Sequence, residues 1–398
     1  MTGAALTGMS RRLSAPARRR GRSLPPAGIV CGNVATDHAG SDPAQLGRIR
    51  AGVSDALAAF LARQRAVLTD IGTDVLPSLD AISSLLAGGK RLRPAFCYWG
   101  WRAAGGEDCE PIFTAAAALE LLQASALVHD DVMDDSDLRR GQPAVHKRFT
   151  GWHAATGRSG SAERFGAGAA ILVGDLLLAW TNELFRDSGF APDVLRRAAP
   201  VFAAMQTELA AGQYLDLLSQ ADARTSVADA VRVITYKTTK YSTERPLQLG
   251  VELAAAAASS RADELVSVCA RYGSPLGIAF QLRDDLLGVF GDPARTGKPA
   301  CGDIAEGKRT VLLALARERA SAAQAAVLDR HLGERDLTAA AAAEVRAVLT
   351  ETGAVAECEH LIAAYRKEAV AALDGAPIPG AARSALAALA ELVTNRDE

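Results

Sequence analysis

The stretch His129-Asp130-Asp131-Val132-Met133-Asp134-Asp135-Ser136-Asp137 concentrates carboxylates at the end of an apolar run that begins near Ala115. On a helix, Asp130 and Asp134 lie one turn apart on a shared face, with about 6 Å of rise between them. Like charges at that spacing repel, so a bare helix is destabilised by them. A hard divalent cation removes the penalty, and a carboxylate pair with spare water positions suits Mg²⁺ held jointly with substrate phosphates. The competing reading is a solvated acidic helix end, which the helix macrodipole disfavours. A second acidic pair, Asp284-Asp285, ends another apolar run, 276–282, far away in sequence. If the two helices pack antiparallel toward a common mouth, their carboxylates face each other across a cavity and can hold several metals on one diphosphate.

Such a site also needs cations of its own. The segment Gly88-Gly89-Lys90-Arg91-Leu92-Arg93-Pro94 sets Lys90 and Arg93 three apart at a helix start, where backbone N–H groups also favour anions. Arg139-Arg140-Gly141 follows the first acidic motif, and Lys237, Lys298 and Lys308 lie in or near polar segments. Each alone reads as a solvated charge. Together they supply what a site for two diphosphates requires.

The elements that must carry these residues read as helices. From about Gly47 onward Ala, Leu, Glu and Arg dominate, and apolar residues recur at three and four, as in Leu57, Phe60, Leu61 and Leu68. Gly and Pro fall mostly between such segments, at Gly88-Gly89, Gly105-Gly106, 156–161, 291–299 and 375–380. No period of 20–50 residues recurs, which speaks against a solenoid. The pattern predicts a single all-α domain over 46–398, with ten or more helices. Residues 1–45, rich in Arg, Pro, Gly and Ser and without apolar periodicity, are expected to form a disordered basic arm. Arg11-Arg12 there lacks the apolar region of an export signal.

Composition narrows the function classes. The 398 residues are 49 % hydrophobic and 23 % charged, which excludes fibrous and disulfide-framework proteins. Net charge is −2, yet six arginines against two aspartates before Leu46 put the arm at +4 and the remainder at −6. An acidic body does not fit a nucleic-acid binder, which needs a basic face for phosphates. Six scattered cysteines without a CxxC fit free thiols in a reducing cytoplasm. The apolar stretches 115–128 and 167–180 are interrupted by Glu120 and Asp175 and fall short of the roughly 20 residues of a membrane span, so no integral membrane segment is expected.

In these motifs the chain resembles the trans-isoprenyl diphosphate synthases of the polyprenyl synthetase family, which includes farnesyl and geranylgeranyl diphosphate synthases. The matching positions are 88–94, Glu120 with Gln123, Asp130 through Asp134 and on to Arg139-Arg140-Gly141-Gln142-Pro143, Gly174-Asp175, Gly212-Gln213 with Asp216, Lys237-Thr238, 281–285, and Gly297-Lys298 through Lys308. They stand in family order from about Leu46 to the C-terminus. The resemblance implies the isoprenoid synthase fold, a helical bundle around a central cavity, and commonly a homodimer. It implies that Asp130 and Asp134 bind two Mg²⁺ ions and Asp284 a third, all bridging an allylic diphosphate. Arg139, Lys237 and Lys298 would hold that diphosphate, with Gln281 and Asp285 supporting the metal site and Lys308 close by. Lys90, Arg93, Gln123 and Arg140 would hold isopentenyl diphosphate, while Thr238 and Gln213 would face the carbocation through their oxygens. The implied chemistry is ionisation, condensation and elimination, with the released diphosphate as the base. His129 is then a neighbour of the carboxylates rather than a catalyst.

Three positions depart from the family pattern. The second motif usually ends in a third Asp, whereas here it reads Asp284-Asp285-Leu286-Leu287-Gly288; Cys301 and Ala144 replace a common Gly and Thr. Product length is expected to follow from the wall below the first motif, where Ala126, Leu122 and Leu119 descend the Asp130 face at depths of about 6, 12 and 16 Å. Ser125 and Ala126 are small, so the floor that stops farnesyl synthases is missing and geranylgeranyl diphosphate is the expected product. A farnesyl or longer-chain synthase is the alternative product class. The rival functions are a terpene cyclase, against which Lys90, Arg93 and Arg140 speak, and a silent regulatory subunit, suggested only by Gly288 and Cys301.

Overall fold

Runs of good helix formers punctuated by Gly and Pro produce helices wherever the chain is described. The computed structural model describes residues 43–222, 225–254, 260–292 and 301–396. Lys298 and nearly all of the expected arm lie outside them. The chain enters α1 at Pro43–Ile71, ahead of the boundary expected at 46, and a short turn at Thr73–Val75 leads into α2, Leu76–Leu86. Then follow α3 (Leu92–Ala103), α4 (Glu110–Met133), α5 (Val145–Ala155), α6 (Ala162–Arg186), α7 (Pro192–Ala221) and α8 (Val227–Ile234). A wide-turn segment, Thr235–Glu244, with π-type hydrogen bonding continues directly into α9, Arg245–Ala254. The remainder is α10 (Ser260–Phe290), the single turn α11 (Gly302–Ala305), α12 (Val311–Arg319), α13 (Ala322–His331), α14 (Ala339–Glu351), α15 (Ala354–Ala371) and α16 (Gly380–Thr394). The only strands among the described residues are Leu138–Arg139 and Gln142–Pro143, a two-residue antiparallel hairpin just after the first acidic motif.

Helix starts are set locally. The hydroxyls of Ser161, Ser226, Thr310 and Thr338 each accept a hydrogen bond from the backbone N–H three residues on, and Ser321 with Gln324 forms a reciprocal capping box. Each such cap contributes about 1 kcal/mol to its helix.

Helix α4 is the axle of the larger core. Ala115 to Ala118 are all fully buried, and their small side chains let α1, α3 and α6 pack closely around it. A helix apolar on all sides belongs inside. The charge in its middle, Glu120, meets the equally buried Arg91 at 2.6 Å, which satisfies both groups where a lone charge would be costly. A second core joins α8, the C-terminal half of α10 and α11 to α15 through Leu282, Leu286, Val311, Val345 and Ile362. Helices α4 and α6 are both long and apolar enough to cross a membrane by composition. Helix α4 is instead mostly interior, while α6 leaves Phe165, Ile171 and Leu172 at the surface.

Candidate functional site

Both acidic motifs open on one cavity of about 410 Å³. Helix α4 lines it with Gln123, Ala126, Leu127 and Asp130; α7 with Leu209, Gln213 and Asp216; the wide-turn segment with Lys237, Thr238 and Tyr241. Helix α10 supplies Phe280, Gln281, Asp284, Asp285 and Gly288, and the stretch around α11 supplies Asp303, Lys308, Arg309 and Thr310.

Asp130 sits at the centre of the charge network. Its Oδ1 accepts hydrogen bonds from Lys237 Nζ at 2.9 Å and from Gln213 Nε2 at 3.0 Å, and Arg139 lies 3.5 Å from its Oδ2. Burial works against the carboxylate, but Lys237, Lys308 and Arg139 outweigh it and hold the group well below the usual range. Lys237 also donates to Asp216 at 2.6 Å, and the two carboxylates keep its ammonium protonated despite burial. That position depends on a close helix contact. A Cβ at Gly212 of α7 would come within 2.2 Å of the Lys237 backbone nitrogen, so only glycine lets the wide-turn segment approach the α7 face that carries Gln213 and Asp216. Within the segment Lys237 and Tyr241 both reach the cavity, and the Thr238 hydroxyl donates to Gln281 Oε1 at 2.7 Å. Rare π-turn geometry of this kind is frequent at functional sites.

Asp134 ends the first motif in a different environment. Its carboxylate is buried, neither oxygen has a hydrogen-bond partner of good geometry, and Lys308 Nζ pairs with Oδ2 at 3.1 Å. Burial raises its pKa, with Asp130 and Glu306 adding to the effect and Lys308 opposing it. Lys308 further pairs with Glu306 at 2.6 Å, and Ser136 donates to the other oxygen of Glu306 at 2.8 Å, which ties the α11 loop to the end of α4. Across the cavity, burial pushes Asp285 up to about 8, Asp303 and Asp284 reinforcing it against the hydrogen bond from Gln281 Nε2. Asp284 is paired with Arg396, whose guanidinium also lies over the Phe280 ring at 4.2 Å from its centroid.

No group of three or more His, Cys, Asp or Glu forms a complete metal cage among the described residues. The carboxylates come instead as separated pairs, and the oxygens of Asp134 and Asp285 Oδ2 are buried without a hydrogen-bond partner. That donor set fits Mg²⁺, which keeps water and takes phosphate oxygens alongside one or two carboxylates.

A second cluster of cations gathers at one end. Arg93 donates to Tyr241 and Ser242, both at 2.7 Å, and stacks on the Tyr241 ring; Tyr241 in turn donates to Gln123. Arg140 donates to the carbonyls of Leu85 and Gly88. Burial lowers the Arg140 pKa; Glu120 opposes this, while Arg91, Arg139 and Arg93 add to it. Such crowding favours an anion from solution.

Other sequence-identified residues stand outside the cavity lining. Lys90 does not reach it, and Lys298 lies outside the described residues. Ser125 donates to the Gly174 carbonyl of α6 at 2.8 Å, so it faces that helix, whereas Ala126 lines the cavity. Leu122 and Leu119 are buried deeper on α4. His129 hydrogen-bonds the Ile171 carbonyl and lies 3.4 Å from Asp175, away from the acidic cluster. Tyr241, Asp303, Arg309 and Arg396 line the cavity without having been singled out from sequence. Tyr241, four residues beyond Lys237, was the one that spacing could have flagged.

The chain is similar to known proteins in both sequence and fold. The polyprenyl synthetase family model matches residues 78–350. A crystal structure of geranylgeranyl pyrophosphate synthase from Corynebacterium glutamicum, complexed with isoprenyl diphosphate and magnesium, superposes with a TM-score of 0.84 at 41 % identity, covering 88 % of this chain and 99 % of that one. The geranylgeranyl diphosphate synthase of Mycobacterium tuberculosis is 31 % identical over 370 residues, 90 % of this chain and 96 % of the relative. A geranylfarnesyl diphosphate synthase of Aeropyrum pernix is 31 % identical over 296 residues, 73 % and 85 % of the two chains. On sequence, fold and the single cavity where the motifs meet, this chain belongs to the polyprenyl synthetase family and is a trans-prenyltransferase.

Proposed function

We propose that this prenyltransferase condenses isopentenyl diphosphate with an allylic diphosphate and stops at geranylgeranyl diphosphate. The observation that carries the reading is the pairing of two anion-seeking clusters on one cavity. Lys237, Arg139 and Lys308 stand among the carboxylates, while Arg93 and Arg140 stand apart from them beside Gln123. A terpene cyclase has no use for the second cluster.

Asp130 and Asp134 would hold two Mg²⁺ ions and Asp284 a third. When bound, the metal neutralises charge building on the departing diphosphate. The protein's own groups do the rest. Lys237 and Arg139 add fixed positive charge where the allylic diphosphate leaves, and both stay protonated because buried carboxylates hold them so. Gln281 accepts from Thr238, which leaves the hydroxyl oxygen free to face developing positive charge in the cavity. Arg93 and Arg140 orient the isopentenyl partner, so the reacting carbons meet in a fixed geometry. Ala126, small and on the cavity wall, leaves room for a chain that deeper Leu122 and Leu119 then stop. The exposed apolar face of α6 supports a homodimer, and the buried free thiols Cys97, Cys269 and Cys358, each pushed up to about 12 by burial, fit a reducing cytoplasm.

The test is incubation of the purified protein with Mg²⁺, isopentenyl diphosphate and farnesyl diphosphate, followed by phosphatase treatment and mass identification of the prenyl alcohol it frees. A C20 alcohol is expected. Absence of elongation, or a different chain length, rejects geranylgeranyl diphosphate as the product.

A further inference from the structure

Arg91 stands between Lys90 and Arg93 in the chain and turns the other way. Its guanidinium is buried, 7 % exposed, and meets Glu120 of α4 at 2.6 Å and the Leu86 carbonyl at 2.5 Å. Its backbone is left-handed, with φ of 54° and ψ of 39°, a conformation that a residue with a Cβ rarely adopts. Gly89, at φ 123°, bends the same loop two residues earlier. From outside, Arg140 donates to the carbonyls of Leu85 and Gly88 at 3.1 and 3.2 Å, and Arg50 of α1 donates to the Lys90 carbonyl at 3.3 Å. The loop between α2 and α3 is thus tied to α1, to α4 and to the hairpin turn.

Glu120 and Gln123 are three residues apart on α4 and share a face. Glu120 holds Arg91, while Gln123 accepts from Tyr241, the hydroxyl to which Arg93 donates at 2.7 Å. A buried ion pair is by itself weak evidence of stability, because desolvation offsets the attraction; its best-attested use is to select one arrangement over others. Here it accompanies a strained backbone at the same residue, and such strain persists where the surroundings over-determine it, typically beside a functional site. We propose that Arg91 and Glu120 are a positioning pair for isopentenyl diphosphate: they lock the left-handed turn at residue 91, and so set where Lys90 leaves the loop and where Arg93 enters the cavity. The inference rests on Arg93 and Arg140 holding the isopentenyl partner. The allylic diphosphate, held among the carboxylates, does not depend on the pair.

The experiment measures elongation by the full chain with Mg²⁺, isopentenyl diphosphate and dimethylallyl, geranyl or farnesyl diphosphate, whichever is extended fastest, and takes KM for each substrate separately. Glu120→Gln keeps the shape and removes the charge. It is expected to raise KM for isopentenyl diphosphate about 10- to 100-fold, the scale of a group misplaced by about 1 Å, while KM for the allylic diphosphate and kcat at saturation stay within about threefold. Arg91→Met/Glu120→Leu removes both charges at similar volume, a replacement that buried pairs tolerate without loss of stability. It is expected to show the same selective rise with a melting temperature no lower than the parent's. Unchanged KM for isopentenyl diphosphate in either variant, once folded, overturns the proposal. So does a rise in both KM values together with a fall in kcat, which marks a merely structural pair. If Glu120→Gln does not fold, the double variant decides alone; a double variant that also fails to fold shows a pair needed for the fold itself and overturns the proposal. Product length does not enter the readout. A parent chain that extends none of the three primers overturns the reading of Arg93 and Arg140 on which the pair depends, a result distinct from the others.

Discussion

Asp284 draws its counter-charge from the far end of the chain. Arg396 pairs with it and lies over Phe280, and its Nε is buried without a hydrogen-bond partner. The pair is partly open to solvent on the aspartate side, so it is worth only about 1 kcal/mol after screening. If Asp284 holds a divalent cation as proposed, that guanidinium competes with it for the carboxylate. Arg396→Ala is therefore expected to bind Mn²⁺ with inorganic diphosphate at about fivefold lower concentration, since 1.4 kcal/mol corresponds to tenfold. Equal or weaker binding shows that the pair does not compete. Asp130 differs: Lys237 and Gln213 both donate to its Oδ1, so two groups rather than one fix it in place.

At the scale of elements, α4 brings the first acidic motif and the small residue proposed to govern product length to one cavity. Asp130 at its C-terminal end faces the charge network, and Ala126 one turn earlier faces the same cavity. The neighbouring Ser125 points away and bonds the α6 backbone. Enlarging Ser125 would overpack the α4–α6 contact, so the clean test of length control is Ala126→Phe. That variant is expected to shorten the main product by one five-carbon unit, read by mass of the released alcohol, while elongation of shorter primers continues. An unchanged product places the stop on other helices. The wide-turn segment after α8 is the second element that lines the cavity with polar side chains. Its loosened turn swings Lys237, Thr238 and Tyr241 to one side, and Gly212 admits it against α7.

Seen as a whole molecule, the protein hides α4 and exposes part of α6. Ile171 and Leu172, at 46 % and 69 % exposure, lie on α6 with Phe165 and Leu178, and Tyr214, Leu217 and Leu218 of α7 are also at the surface. Exposed apolar patches of this kind mark interaction faces. Placing a charge there with Leu172→Glu is expected to weaken self-association by at least about 100-fold, equivalent to roughly 2.7 kcal/mol. Sedimentation velocity checks it: the parent sediments as a dimer and the variant as a monomer at micromolar concentration. A monomeric parent, or a variant that remains dimeric, removes α6 from the interface.

The sequence by itself determined the positions of the carboxylate pairs and of the basic residues, and the helical class. All of these rest on local spacing: residues four apart share a helix face whatever surrounds them. It also marked Gly288 as a gap. What it could not determine was which residue comes to lie beside it, which guanidinium meets Asp284, and whether Ser125 or Ala126 faces the cavity. The first two join positions far apart in the chain, and the third turns on how α4 is rotated between α6 and the cavity. Only packing in three dimensions sets those distances and that rotation. Tertiary structure alone therefore decided that Asp303 and Arg396 come to lie against motifs that spacing had already revealed.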